Sequence, residues 1–287
     1  TLSIYANEEI TQPTVVFKSN GAAITDSSIS YSGSGRSWTA KYDANSSDAE
    51  GAVTFVVSFN NGAGISGTNV TAVTNLTSVT TDLTLPTLNT VGIVSNNSTN
   101  TVGVNGDEVT LTFTSSEEIR SGSHLAVAFT SGGVAVTDTS IRYDTSGNTH
   151  TAKYTVMAGD TGGAVGYTVT FKDRAENSGT PVTSGSGSVT IDRTAPSLSS
   201  VGIASNNSTT SLAKVSNEVT LTFTANESIE TPSGTDVVFF SGGAPITNAG
   251  AITYNNTSGN TWTAKYTAHT NDTDGPVTFT IDFDDLA

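Results

Sequence analysis

The sequence predicts an all-β chain assembled from copies of one sandwich module of about 110 residues, and three observations carry that prediction. The segment DLTLPTLNTVGIVSNNST from Asp82 returns as DRTAPSLSSVGIASNNST from Asp192, an offset of 192 − 82 = 110 residues. The match runs on through the interior: EVTLTFTSSEEI from Glu108 pairs with EVTLTFTANESI from Glu218, and the SGG at Ser131 with the SGG at Ser241. Finally, apolar and polar residues alternate with the period of a half-buried strand, as in Val109-Thr-Leu-Thr-Phe113 and Val277-Thr-Phe-Thr-Ile281. No amphipathic helix of useful length interrupts this pattern.

In the middle copy the spacing predicts strands over Thr90 to Ser95, Glu108 to Ser115, Leu125 to Thr130, Ser140 to Tyr143, His150 to Val156, Val165 to Lys172 and Ser186 to Asp192. Turn signals separate them at Asn105-Gly-Asp107, Ser131-Gly-Gly133, Ser146-Gly-Asn148 and Gly159-Asp-Thr-Gly-Gly163. Seven such strands fit an immunoglobulin-like sandwich. Alternation points Val109, Leu111 and Phe113 inward, with Val219, Leu221 and Phe223 as their counterparts, and leaves the intervening threonines outside. Tyr42, Tyr154 and Tyr266 each follow a Thr-Ala-Lys triplet, and Phe59, Phe171 and Phe283 align near the end of the sixth strand; all are expected in cores. Trp38 and Trp262 are replaced by His150 in the middle copy, which predicts a partly exposed site.

The repeat sets the domain expectation at three modules: 1–84, truncated at its start; 85–194, complete; and 195–287, truncated at its end. TLSIYANEEI at Thr1 aligns with TLTFTSSEEI at Thr110, and FDDLA from Phe283 with FKDRA from Phe171, so both ends fall within a module. The expectation is an excerpt of a longer polypeptide. The clipped first module also permits a neighbouring molecule to donate the missing strand.

Composition narrows the function classes. With only 11 Lys and Arg spread over a chain of net charge −15, nucleic acid is not an expected partner, because phosphate binding needs clustered basic residues, and cations are the expected counterpart. Cysteine is absent, so another staple must serve. No apolar run approaches the roughly 20 residues that span a bilayer, so direct membrane insertion by this segment is not expected. The three histidines, His124, His150 and His269, occupy inequivalent positions, which argues against zinc. HExxH, GxSxG, P-loop and Gly-Gly-x-Gly-x-Asp signatures are absent, and no enzyme activity is expected.

Val189-Thr-Ile-Asp-Arg-Thr-Ala-Pro196, together with Phe171-Lys-Asp-Arg-Ala-Glu-Asn177, resembles the tandem immunoglobulin-like repeats of giant bacterial and archaeal surface proteins, both surface-layer proteins and large repetitive adhesins. The resemblance covers essentially the whole chain. It implies an extracellular, cell-surface structural segment that assembles with copies of itself or with neighbouring modules into a layer, sheath or filament. The alternative it leaves is the stalk of an adhesin, projecting a distal binding domain. A carbohydrate-binding module is a third class, and it needs an exposed aromatic platform for which Trp38 and Trp262 are the only tryptophans.

Strand order carries a chemical expectation of its own. Successive strands of the sandwich reverse direction, so the ends of strands two and six lie at the pole where strand one begins. Glu117 follows strand two, Asp173 follows strand six, and Asp82 lies in the linker, so three carboxylates are expected at the first junction. Glu227, Asp285 and Asp192 repeat the set at the second. Carboxylates without basic partners repel, and a hard divalent cation taking six to eight oxygens relieves them. Calcium is therefore the expected ion, with Asn177, Glu118 or backbone carbonyls completing its shell; the resemblance also implies calcium between modules. The first copy carries Asn61 in place of the strand-six Asp while keeping Glu8.

Overall fold

The structure, a computed structural model, describes residues 1–287 apart from 27, 121 and 248–250. In the first copy the strands are β1 (Leu2–Tyr5), β2 (Thr14–Ser19), β3 (Ala22–Ala23), β4 (Ser30–Ser34), β5 (Ser37–Lys41), β6 (Gly51–Ser58) and β7 (Thr80–Thr81). The middle copy forms β8 (Leu88–Ser95), β9 (Val102–Gly103), β10 (Glu108–Ser115), β11 (Leu125–Ser131), β12 (Val134–Ala135), β13 (Arg142–Ser146), β14 (Thr149–Thr155), β15 (Gly163–Phe171) and β16 (Thr190–Ile191). In the third copy they are β17 (Leu198–Ser205), β18 (Glu218–Ala225), β19 (Val237–Ser241), β20 (Ala244–Pro245), β21 (Thr253–Ser258), β22 (Thr261–Thr267) and β23 (Val277–Ile281).

Each copy supplies two sheets, and the order recurs. The first copy has β1-β5-β4 and β3-β2-β6-β7; the middle has β13-β14-β10-β8 and β12-β11-β15-β16-β9; the third has β17-β18-β22-β21 and β20-β19-β23. β10 with β14, β18 with β22, β19 with β23 and β2 with β6 pair antiparallel, whereas β9 pairs parallel with β16. This is a tandem immunoglobulin-like, all-β architecture. By compactness the chain divides into two units, one of Thr1–Thr87, Ser115–Ala126 and Thr170–Pro181, the other of Leu88–Thr114, Val127–Val169 and Val182–Ala287.

The period-two pattern fills the cores as the sequence predicts. Val109, Leu111 and Phe113 are fully buried, as are Leu221 and Phe223, while threonines face outward. An aromatic pair recurs across the sheets: Phe17 with Tyr42, Phe129 with Tyr154 and Phe239 with Tyr266 have ring centroids 4.8–4.9 Å apart at a tilt of 42–46°. Such pairs contribute about 0.5–1.5 kcal/mol beyond the area they bury. A second recurring link runs from a strand backbone to a phenol, with Val15, Val127 and Val237 N–H donating to the hydroxyls of Tyr31, Tyr143 and Tyr254.

Two expectations are corrected. His150 is buried rather than partly exposed: it pairs with Phe113 across β14 and β10, and the rings stack at 5.3 Å. Trp262 is likewise 9% exposed and belongs to the third copy's core, and only Trp38 is half-buried. The predicted seventh strand, Ser186 to Asp192, pairs as a strand only at Thr190–Ile191. Before that point Val182 bridges Val169 of β15, and Ser186 then bridges Gly92 of β8 in parallel. Gly185 and Gly187 permit this crossing between sheets, since a Cβ on either would come within 2.4 Å of a carbonyl oxygen of β8.

Candidate metal centre

The first predicted constellation assembles. Asp82, Glu117 and Asp173 each present a carboxylate oxygen, and these oxygens lie within 4.8 Å of one another. All three belong to the same compact unit. The local chain explains the meeting. An antiparallel bridge joins Ile119 to Asp173, the Arg120 N–H donates to the Lys172 carbonyl at 3.0 Å, and the ends of strands two and six are thereby held side by side. Equivalent bridges, Ile10 to Asn61 and Ile229 to Asp285, show that this closure belongs to every copy.

Asn177 fixes the third member. Its Nδ2 donates to Asp173 Oδ2 at 2.8 Å and to the Asp82 carbonyl at 3.2 Å, and its backbone N–H donates to Asp173 Oδ1 at 2.9 Å. Through Nδ2 it is a clamp on the carboxylate and the linker, a role the sequence did not suggest. The loop that carries it folds back tightly: the Gly179 N–H donates to the Phe171 carbonyl, and a Cβ on Gly179 would lie 2.1 Å from the Phe171 ring.

The electrostatics are unbalanced. Asp173 is fully buried, and Glu117 Oε1 is sealed from solvent without a hydrogen-bond partner. Desolvation, followed by the charges of Asp82, Asp173 and Glu50, pushes the Glu117 carboxyl above its ordinary value. Neighbouring cations are engaged elsewhere, Arg174 with Glu118 at 3.2 Å and Arg120 with Glu176 at 2.7 Å. Glu118 is therefore paired outward and is not part of the cluster. Among the described residues no Lys, Arg or His forms an ion pair with any of the three acids. An all-carboxylate donor set with one orphaned oxygen fits a hard, oxygen-seeking divalent cation.

The second constellation does not assemble in the same way. Asp192 is partly buried and accepts from the Thr194 N–H at 2.8 Å, Glu227 receives the Asn226 amide at 3.4 Å, and Asp285 accepts from the Ala287 N–H at 2.9 Å. Among the described residues the only acidic trio within ligating distance is the first. The bridge at Asp285 is in place. Asp282 and Asp284 are exposed.

Sequence reasoning missed Glu50, which accepts from Thr84 Oγ1 at 2.7 Å and brings a fourth negative charge toward Glu117. Glu50 and Thr84 are 34 residues apart, and no local pattern joins them. It also missed a recurring turn carboxylate, Asp48, Asp160 or Asp272, the first two buried, that accepts a threonine N–H, from Thr25, Thr137 or Thr247, and the N–H of the residue three before it. Its signal was the Asp within the turn run Gly159-Asp-Thr-Gly-Gly163.

No protein-family model matches the chain, and no curated protein matches it. Among solved structures, three consecutive titin immunoglobulin domains in a glutamate-to-alanine variant match over 95% of this chain and 87% of their own, at 8% identity and a TM-score of 0.33. A chimeric titin segment carrying an exogenous decorin peptide matches over 69% of this chain and 94% of its own, at 12% identity and a TM-score of 0.28. SGBP-B of the Bacteroides ovatus mixed-linkage glucan utilization locus, solved with a mixed-linkage heptasaccharide, matches over 98% of this chain and 58% of its own, at 14% identity and a TM-score of 0.17. At these scores the likenesses add nothing to the assignment, which rests on the sheets and register of the chain itself.

Proposed function

We propose that this chain is a non-catalytic structural segment of a large extracellular prokaryotic surface protein, one that self-assembles into a surface layer, sheath or filament and whose first module junction is tied by calcium. The observation that carries the reading is the trio of Asp82, Glu117 and Asp173 with its orphaned Glu117 oxygen. A cation there joins a linker residue to the two loop ends of the following copy, which is what a load-bearing array requires of a joint. The repeat supports the mechanical role, since a function built by copying a module needs no single specialised pocket. An aromatic platform for glycans finds no support at Trp262, which is spent on the core.

The adhesin stalk remains the second reading, favoured by the edge strands. β13 is exposed along its whole length, and β4 and β21 nearly so, with Ser, Thr, Asn and Asp prominent among their side chains. Polar edges of this kind resist lateral pairing. Calorimetric titration with calcium, followed by sedimentation velocity with and without it, tests both. The reading expects one site with a Kd on the order of 10⁻⁴–10⁻³ M, as in extracellular calcium modules, and calcium-dependent self-association. Binding without association favours the stalk. A titration silent to 10 mM calcium, with Glu117→Gln behaving identically, removes the calcium joint.

A further inference from the structure

The loop that carries Asn177 is built on the same hydrogen bonds in the first copy. The Glu176 N–H donates to the Asp173 carbonyl and the Asn177 N–H to Asp173 Oδ1. At an offset of 176 − 64 = 112, the Gly64 N–H donates to the Asn61 carbonyl and the Ile65 N–H to Asn61 Oδ1. Both loops pass through the left-handed region at one position, with φ +82° at Gly64 and φ +73° at Glu176. Glycine takes that conformation without steric cost, whereas a glutamate is strained in it. The first copy shows that the turn closes with no side chain there, so the turn itself does not call for Glu176.

What Glu176 adds is a reach from one loop to the other. Its Oε1 accepts from Arg120 Nη1 at 2.7 Å, and Arg120 stands three residues after Glu117. A second rung carries the opposite polarity, with Arg174 Nη1 donating to the two oxygens of Glu118 at 3.3 Å and 3.2 Å. The four charges cancel, and they join the loop after β10 to the loop after β15. In the first copy the same positions hold Thr11 with Gly64 and Glu9 with Gly62, so neither rung exists, and Asn61 and Ile65 stand in place of Asp173 and Asn177. The third copy keeps Glu227 and Asp285 but has Glu230, Ser228 and Leu286 in place of Arg120, Glu118 and Arg174. Rungs and an assembled acid trio thus occur together in the middle copy alone.

We infer that Arg120 and Glu176 are positioning residues of the cation site, their ion pair latching the Asn177 loop closed over Asp173 before an ion arrives. The inference rests on the reading of Asp82, Glu117 and Asp173 as a cation site. Carboxylates gathered without an ion repel one another, and that push falls on the two loops that carry Glu117 and Asp173. Opposite charges joining the same two loops oppose it. They do so from outside the coordination shell, because both guanidinium groups are held by carboxylates that do not belong to the trio. Arg120 also makes the inference separable from a general field effect. By charge alone, removing a cation near the trio strengthens calcium binding; as the loss of a latch, the same removal weakens it.

The opposite signs give the test. In calorimetric titration, Arg120→Gln is expected to bind calcium about threefold more weakly than the parent, the scale of one exposed ion pair, with the stoichiometry unchanged. Arg120→Glu combined with Glu176→Arg rebuilds the pair in reverse at the same net charge and should bring the affinity back. In chelator, exchange of the Asn177 amide proton followed by NMR should quicken by about threefold in Arg120→Gln and slow again in the swapped variant. Tighter calcium binding by Arg120→Gln, an Asn177 exchange rate that does not move, or a swapped variant no better than the single one would each overturn the inference. A parent that binds no calcium removes the calcium joint instead, and the exchange rates in chelator then decide the latch by themselves.

Discussion

Asn177 donates from Nδ2 to the carbonyl of Asp82, 95 residues away, while the same nitrogen holds Asp173 Oδ2 at 2.8 Å. One amide thus ties the linker to the loop that follows strand six and orients a fully buried carboxylate. Removing it leaves every acid of the trio in place, so Asn177→Ala separates positioning from charge. Groups that orient metal ligands are typically worth 10–100-fold in affinity. Asn177→Ala is expected to weaken calcium binding by about tenfold in calorimetry, with the stoichiometry unchanged. An unchanged affinity would show that the trio holds its geometry without the clamp.

Glu117 supplies a pH dependence of unusual sign. Its folded pKa lies above the ordinary 4.5, first through desolvation and then through Asp82, Asp173 and Glu50. The contribution to stability is fully present below the unfolded value and is lost as pH rises through the folded one. With calcium chelated, differential scanning calorimetry should therefore show this part of the chain losing stability as pH rises from 4.5 toward neutrality. Calcium should restore it, with proton release on binding. Glu117→Gln should flatten the slope and raise the melting temperature in chelator while abolishing the calcium response.

The sandwich was legible because period-two runs such as Val109 to Phe113 recur with the same turns between them, and the Glu117–Asp173 meeting was legible because strand direction alone decides which ends share a pole. The second trio was over-read: the Ile229–Asp285 bridge forms as strand direction requires, but strand direction does not fix where the linker carries Asp192, and the three carboxylates do not come within ligating distance of one another. His150 was misjudged because a Trp-to-His replacement looks polar in one dimension, whereas stacking on Phe113 makes it a core residue. The Tyr143 hydroxyl link to Val127 spans 16 residues and two sheets, and no local pattern announces it.

The recurring turn carboxylate should be structural. Asp160 is 6% exposed and accepts the Thr137 N–H at 2.7 Å, the Thr137 hydroxyl at 2.8 Å and the Met157 N–H at 2.9 Å. Asp160→Ala strands those donors and is expected to cost about 2–3 kcal/mol in urea denaturation, on the scale of unsatisfied buried groups. Asp160→Asn, which keeps one acceptor oxygen, should cost less. A loss under 0.5 kcal/mol for the alanine variant would mean that water replaces the carboxylate, about the scatter of neutral surface changes.

His150 gives the opposite slope to Glu117, in a different window. It is buried on Phe113, its Nδ1 lies 3.1 Å from Thr145 Oγ1, and desolvation holds its pKa below the ordinary 6.5. The folded chain thus favours neutral imidazole, while the unfolded chain protonates it as pH falls. Its contribution is fully present above 6.5 and is lost as pH drops through the folded value. His150→Trp installs the residue that occupies this position in the other two copies, where Trp262 lies in the core beside Phe223. The variant should fold, and its melting temperature should change less than that of the parent between pH 7.5 and pH 5. If parent and variant lose stability equally across that interval, the acid sensitivity arises elsewhere, and the histidine is only a shape that fits.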